Sequence, residues 1–436
     1  MSSKRELTIL FAPLCYVGEM MSSVGIGEVL RNAGHRCVYA VTGDWRSRLE
    51  SMGFEVRLKG QLTDTEPVAD SADDNVKIAL DAGLLDDKTP LEKAIDCNNF
   101  NMQLLFDEEV NTEPYLKAII ADLRPDLIIT DHLIALPSIV TSGIPWIFSW
   151  SSNPLGLDTG FADPSLPPSM LGLPTNSSEE KIQKYRQLIN DGKRELWFKY
   201  RDRLTASGCP EVKDFLLWTP SPFANIYITP LELDYTDVRP LPDTFHGFDY
   251  YKRSGDQELA FELPAKLANR SGKLVYLSLG SMGGGNVALM KRLVAILAKS
   301  RHRFIVSKGV KHNEYELSAN MWGERTVPQL RVLPMCDAVV THGGNNTVTE
   351  TMYFGKPMVI MPLFADQYDN AQRVMEKGFG LRVDAWKCSE EELLQSIDSV
   401  LKNTVMAEKC AKASLRIQTE RRIEKLVDLV HSLVKL

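Results

Sequence analysis

Cysteine is scarce and scattered in this chain: seven residues in 436, with no CxxC pair and no His/Cys cluster. That pattern predicts reduced thiols of a cytoplasmic protein, not a disulfide framework, and it offers no zinc site. Long apolar runs are missing as well. Nothing approaches the roughly 18 uninterrupted apolar residues of a membrane-spanning helix. The run Leu7–Phe11 is too short for the apolar core of a signal peptide. The net charge of −7 comes without a dense Lys/Arg block, which argues against a nucleic-acid surface. Two common nucleotide fingerprints also fail. Gly25-x-Gly27 does not continue as a dinucleotide motif, and Gly280–Gly285 lacks the Lys-Ser/Thr of a P-loop.

What the chain has is 44% hydrophobic and 25% charged residues, enough to bury a large core. At roughly 100–200 residues per domain, its length predicts two or three domains. Short apolar runs alternate with helical patterns, as in parallel sheets with crossover helices. The strands expected in the first half are Leu7–Pro13, Arg36–Val41, Phe54–Leu58, Asp126–Thr130 and Trp146–Trp150. A helix after the first of them ends near Gly34, a glycine suited to a C-cap. A second series follows: Lys273–Leu279, Arg303–Ser307, Arg331–Leu333, Asp337–Thr341 and Met358–Pro362. Residues 151–222 interrupt the alternation with an aromatic-rich insertion and a charged helix from Glu179 to about Leu204. These patterns predict two doubly wound α/β domains facing across a cleft. The first covers 1–240, a Pro-, Asp- and Tyr-rich linker 241–256 and the second domain 257–415. A C-terminal helix over 416–436 is placed to cross back to the first domain.

The most informative stretch runs from Val327 to Asn370. A glycine turn, His342 to Thr347, follows a buried strand and opens into a helix expected over Val348–Phe354. Such a turn is an anion site, because the helix start offers unpaired N–H groups and the positive end of its dipole. Gly343 and Gly344 allow close backbone approach. His342, Asn346 and Thr347 add side-chain donors. Glu350, expected on the first turn, can accept two ribose hydroxyls. Asp366 and Gln367, an acid beside an amide, suit neighbouring sugar hydroxyls.

This stretch resembles the signature of the UDP-dependent glycosyltransferases: His-x-Gly, Asn and a hydroxyl residue, Glu three residues later, Gly-x-Pro, and Asp-Gln ahead of an Asn. The resemblance implies the GT-B fold, two Rossmann-like domains. It implies that His342, Gly344, Asn346 and Thr347 contact the diphosphate and Glu350 the ribose. Asn345, Asp366 and Gln367 would contact the sugar. Ser281 matches a family serine near the phosphates. Where the family stacks a Trp on uracil, before x-Pro-Gln329, this chain has Thr326. Arg325 is then the candidate to stack on the base, with the Val327 backbone hydrogen-bonding it.

The family's usual catalytic base is a His after the first strand, and that position falls on Glu19. The family's orienting Asp falls on Asp131, and the adjoining His132 is an alternative base. Trp146 and Trp150 are candidates for the acceptor wall, with core packing as the competing reading. The expected activity is inverting transfer of a hexose, glucose in first place, from a UDP-sugar to the hydroxyl of a small apolar acceptor such as a flavonoid, phenol or xenobiotic. No metal or other cofactor is expected. Because Glu19 replaces the His, a UDP-sugar-binding protein without turnover stays open, as does a UDP-sugar epimerase on the same fold.

Overall fold

The computed structural model describes residues 5–60, 71–98, 102–158, 166–251 and 260–434. Seven strands build the first sheet: β1 Thr8–Phe11, β2 Arg36–Val41, β3 Glu55–Leu58, β4 Leu127–Thr130, β5 Trp146–Trp150, β6 Ala224–Ile228 and β7 Phe245–Phe248. Their order is β3-β2-β1-β4-β5-β6-β7, and β1 pairs in parallel with both β2 and β4. The second sheet holds β8 Leu274–Ser278, β9 Arg303–Ser307, β10 Met321–Glu324, β11 Ala338–Thr341, β12 Met358–Ile360 and β13 Gly380–Arg382, in the order β10-β9-β8-β11-β12-β13. The strands β4, β6, β8 and β11 are buried throughout, as parallel sheets covered by helices on both faces require. In each sheet the order reverses beside its first strand, between β1 and β4 and between β8 and β11. Ligands of doubly wound sheets bind beyond the carboxyl ends of strands at such reversals.

Three expectations need correction. Arg331–Leu333 is not a strand. It lies in the short helix Gln329–Val332 and the 3-10 turn Leu333–Met335, and the strand of that region is β10, which starts ten residues earlier. Phe245–Phe248, expected in the linker, pairs with β6 and completes the first sheet. The charged helix from Glu179 is two helices, Glu179–Gly192 and Arg194–Ala206, which meet at Lys193.

The C-terminal helix Lys425–Leu433 does return to the first domain. Leu426 and Val430 are fully buried there among Leu7, Ile9 and Leu30. The chain turns toward it at Arg421, which has a left-handed φ of 46°.

The helix Gln367–Glu376 of the second domain is fastened to the first along its length. Asp369 accepts from Ser169 Oγ at 2.7 Å and from the Met170 and Gly172 N–H groups at 2.7 and 3.0 Å. Asn153 Nδ2 donates to Asn370 Oδ1 at 2.7 Å. Arg373, 3% exposed, donates to the Leu233 and Asp234 carbonyls. Lys93 makes a second fastening. It is buried, donates to Leu363 O at 2.7 Å and sits 3.7 Å over the Trp386 ring. All seven cysteines are free thiols. Among the described residues no helix is long and apolar enough to cross a membrane, and no group of three or more His, Cys, Asp or Glu is placed to hold a metal ion.

Candidate active site

The second domain's contribution begins where β11 ends. Gly343, at φ +87°, makes the turn, and the helix starts at Asn345, three residues earlier than expected. Glu350 therefore lies on the second turn, not the first, and is 2% exposed. His342 is wedged between two glycines. A Cβ built on Gly280 or Gly344 would come within 2.5 or 2.6 Å of its Nε2. Any side chain at either position would displace the imidazole, so the residue type at two separate turns fixes where this ring sits. Burial pushes the imidazole down to about 4, which leaves it neutral at pH 7.

Gln329, Thr347 and Glu350 form one hydrogen-bonded cluster. Gln329 Nε2 donates to Glu350 Oε2 at 2.5 Å and to Thr347 Oγ1 at 3.4 Å, while Tyr276 donates to Gln329 Oε1 at 3.1 Å. Val327 is buried in the second domain's core. Arg325 is half-buried, and its carbonyl accepts from Gly309 N–H at 3.0 Å. Trp322, the nearest tryptophan, packs on Phe261 at 5.6 Å inside the core.

A cavity of about 590 Å³ opens between the domains. From the second domain it is walled by Ser281, His342, Gly344, Asn345 and Asn346, and by Asp366 and Gln367. From the first domain come Glu19, Trp150, Trp218, Phe215 and Leu155. Glu19 stands on the first turn of the helix Val17–Asn32. Burial raises its carboxyl above the ordinary range, against the lowering effect of its own backbone N–H. Asp131 lies behind it, fully enclosed, and accepts from Ser151 Oγ at 3.2 Å and Ser149 Oγ at 3.4 Å. Burial first, and the Glu19 charge second, push Asp131 well above the usual carboxylate range.

The remaining expected site residues are placed by the following contacts. His132 points away from Glu19. Its Nδ1 accepts from Ile134 N–H at 3.3 Å, burial pushes it down to about 3, and it lines a separate small apolar cavity. Trp146 lines that same small cavity and packs in the first domain's core, so of the two expected acceptor tryptophans only Trp150 reaches the cleft. Asn345 uses its amide protons on the Ser151 and Ile228 carbonyls, at 2.8 and 2.9 Å, and so clasps the domains together. Asn346 bridges them too, donating to Gly18 O at 2.9 Å and accepting from Ser22 Oγ at 2.9 Å. Asp366 Oδ2 accepts from Asn153 N–H at 2.8 Å, and burial pushes its carboxyl up to about 7. Gln367 Oε1 accepts from the Leu363 and Phe364 N–H groups, which holds the amide against its own loop.

The aromatic wall was only partly expected. Trp218 stacks on Phe148 at 4.7 Å with 4° between the planes, and tilts against Trp150 at 5.8 Å. Gly156 makes room for Trp150, since a Cβ there would meet its ring at 2.5 Å. Both Trp218 and Phe215 belong to the aromatic-rich insertion, so the signal for them was its composition.

Comparison with known proteins agrees with this geometry. Residues 259–431 match the family model described as UDP-glucoronosyl and UDP-glucosyl transferase. The chain is 38% identical over 112 residues to UDP-glucuronosyltransferase 2B17 of Homo sapiens, covering 25% of this chain and 21% of that protein. It is 25% identical over 194 residues to the uncharacterized UDP-glucosyltransferase YojK of Bacillus subtilis (strain 168), covering 44% of this chain and 47% of that one. The match thus spans from about a fifth to about half of these relatives' length. Among solved structures, the glycotransferase of kitacinnamycin superposes with a TM-score of 0.70 at 20% identity, over 98% of this chain and 99% of the other, which shows the two-domain GT-B fold. The likeness to the UDP-glucuronosyl and UDP-glucosyl transferase family thus rests on the second domain, residues 259–431.

Proposed function

We propose that this protein transfers a hexose, glucose in first place, from a UDP-sugar to a hydroxyl of a small apolar acceptor, with inversion at the anomeric carbon. One observation carries this reading. A single cavity is bounded on one side by the His342–Asn346 turn and helix start, and on the other by the Glu19 carboxyl and an aromatic wall. The helix start and a proton on His342 Nε2 suit a diphosphate. The Gln329–Thr347–Glu350 cluster, adjoining the same helix, suits the ribose. The acceptor oxygen attacks the anomeric carbon, the bond to the UDP oxygen breaks, and Glu19 takes the acceptor's proton.

Glucose is favoured because, among the described residues, no Lys or Arg of the second domain lines the cavity, whereas Asp366 and Gln367 do. The direct test incubates the protein with UDP-glucose or UDP-glucuronic acid and a panel of phenols, and reads products by mass spectrometry. Transfer from UDP-glucose is expected. Faster transfer from UDP-glucuronic acid would overturn the sugar assignment, and no product with any pair would overturn the transferase reading.

Replacing Glu350 with Ala should weaken UDP binding by about tenfold or more, the scale of a charge-assisted hydrogen bond. The loss combines the ribose acceptor with an unpaired Gln329 amide. Unchanged affinity by calorimetry would take Glu350 out of the nucleotide site.

A further inference from the structure

The first domain's wall carries a charge that the reaction above does not use. The helices Glu179–Gly192 and Arg194–Ala206 break at Lys193, whose backbone, at φ −107° and ψ 6°, belongs to neither. The break leaves Lys193 only 8% exposed, yet on the wall of the 590 Å³ cavity. Arg186, two turns earlier, lines the same wall and donates to the Leu166 carbonyl at 2.7 Å. Asn190 lies between them on that wall, and the neighbouring surface is apolar, from Ile189, Met102 and Leu217. Among the described residues no carboxylate lies within ion-pair distance of Lys193, including Asp214, which lines the same cavity. Burial, and then the Arg186 charge, push the ammonium down to about 8, so it is cationic at pH 7. A desolvated cation without a protein counter-charge is costly unless a ligand supplies one.

We propose that the acceptor carries a carboxylate, which docks on Lys193 while its hydroxyl is presented to Glu19. The acceptor is then an amphipathic hydroxy-acid with a flat apolar body, not a neutral phenol. A carboxylate could also arrive on the donor, as in a UDP-uronic acid. The acceptor is the better source, because Lys193, Arg186 and Asn190 all belong to the first domain, while the sugar-facing Asp366 and Gln367 come from the second. The presentation to Glu19 rests on the transferase reading; the anion site does not.

The test uses the full chain and two fluorescent coumarins, 7-hydroxycoumarin and 7-hydroxycoumarin-3-carboxylate. Each is titrated without donor and then assayed for transfer with UDP-glucose. The acid should bind about tenfold or more tightly than the neutral compound, the scale of one charge-assisted hydrogen bond. Lys193→Met should collapse that ratio toward one, and Lys193→Arg should restore most of it. UDP affinity, measured alongside, reports whether each variant is folded. An acid-to-neutral ratio near one in the parent, or the same ratio in Lys193→Met as in the parent, would overturn the proposal. So would a Lys193→Met variant that loses UDP-glucuronic acid selectively while still preferring the acidic coumarin. Lys193-dependent binding of the acid with no sugar transfer to either coumarin would leave this inference standing and overturn the transferase reading.

Discussion

Glu19→Gln should slow sugar transfer by about 10²–10⁴-fold, the usual contribution of a positioned general base, and leave UDP affinity unchanged. The amide keeps the size of the side chain and its hydrogen bonding but cannot accept the acceptor's proton. Glu19 is raised above the ordinary carboxylate range by burial, which makes it a stronger base than an exposed glutamate. Asp131 behind it is raised further by its own enclosure and by the Glu19 charge. Glu19 lines the cavity and Asp131 does not, so Asp131→Asn should slow turnover less than the change at Glu19. The sign of the pH dependence follows. The base must be ionised, so the rate should rise with pH through the raised pKa of Glu19, and Glu19→Gln should abolish that limb. The penalty should be larger for an aliphatic alcohol than for a phenol, which ionises with less help. If Glu19→Gln is as fast as the parent, the assignment fails. If His132→Ala is then inactive, the ring now seen in the small apolar cavity must reach the cleft by a rearrangement.

The donor half of the site was legible because its geometry depends on residue types that few other structures need. Two glycines flank the His342 ring, and a side chain on either would collide with it. An acid and an amide 21 positions apart, Glu350 and Gln329, meet only when the strand-turn-helix unit is folded. The first domain carried no comparable fixed pattern. Along β5, Trp146, Phe148 and Trp150 alternate onto one face, but a face does not say how far along the strand a residue lies. Trp146 is at the amino end, sealed in the core, and Trp150 is at the carboxyl end, where sites of doubly wound sheets open. His132 and Asp131 both lie just beyond β4, so the alternation of the strand could not say which of the two faces the cleft. Arg331–Leu333 was misread because a stretch of three residues cannot distinguish a strand from a helical turn. Here Pro328 and Pro334 bracket a helical turn. The break at Lys193 did have a sequence signal, the Asp191-Gly192 pair that precedes it.

Arg373→Ala should destabilise the protein by about 2–5 kcal/mol, the cost of leaving two buried carbonyls without a donor and of losing the guanidinium's contact with Tyr235. The guanidinium is 3% exposed and leaves three groups of the first domain behind: the Leu233 and Asp234 carbonyls and the Asp237 carboxylate, the last at 2.5 Å. It also sits 4.4 Å over the Tyr235 ring. The Asp237 pair contributes little, because that carboxylate is half exposed. The two carbonyls and the ring account for most of the expected effect. Arg373→Lys keeps the charge but offers no fork to reach both carbonyls, so it should recover only part of the loss. The consequence extends to the reaction because the same helix carries Gln367 at its start and Asp366 at its cap. Loosening its grip on the first domain moves the cavity-lining Asp366 and Gln367 relative to Glu19, whereas the Gln329–Thr347–Glu350 cluster lies wholly within the second domain. Arg373→Ala should therefore raise the KM for UDP-glucose more than it weakens UDP itself. A denaturant midpoint equal to the parent's would show that the domain junction does not depend on Arg373. Equal losses for UDP and UDP-glucose would show that the junction does not position the sugar.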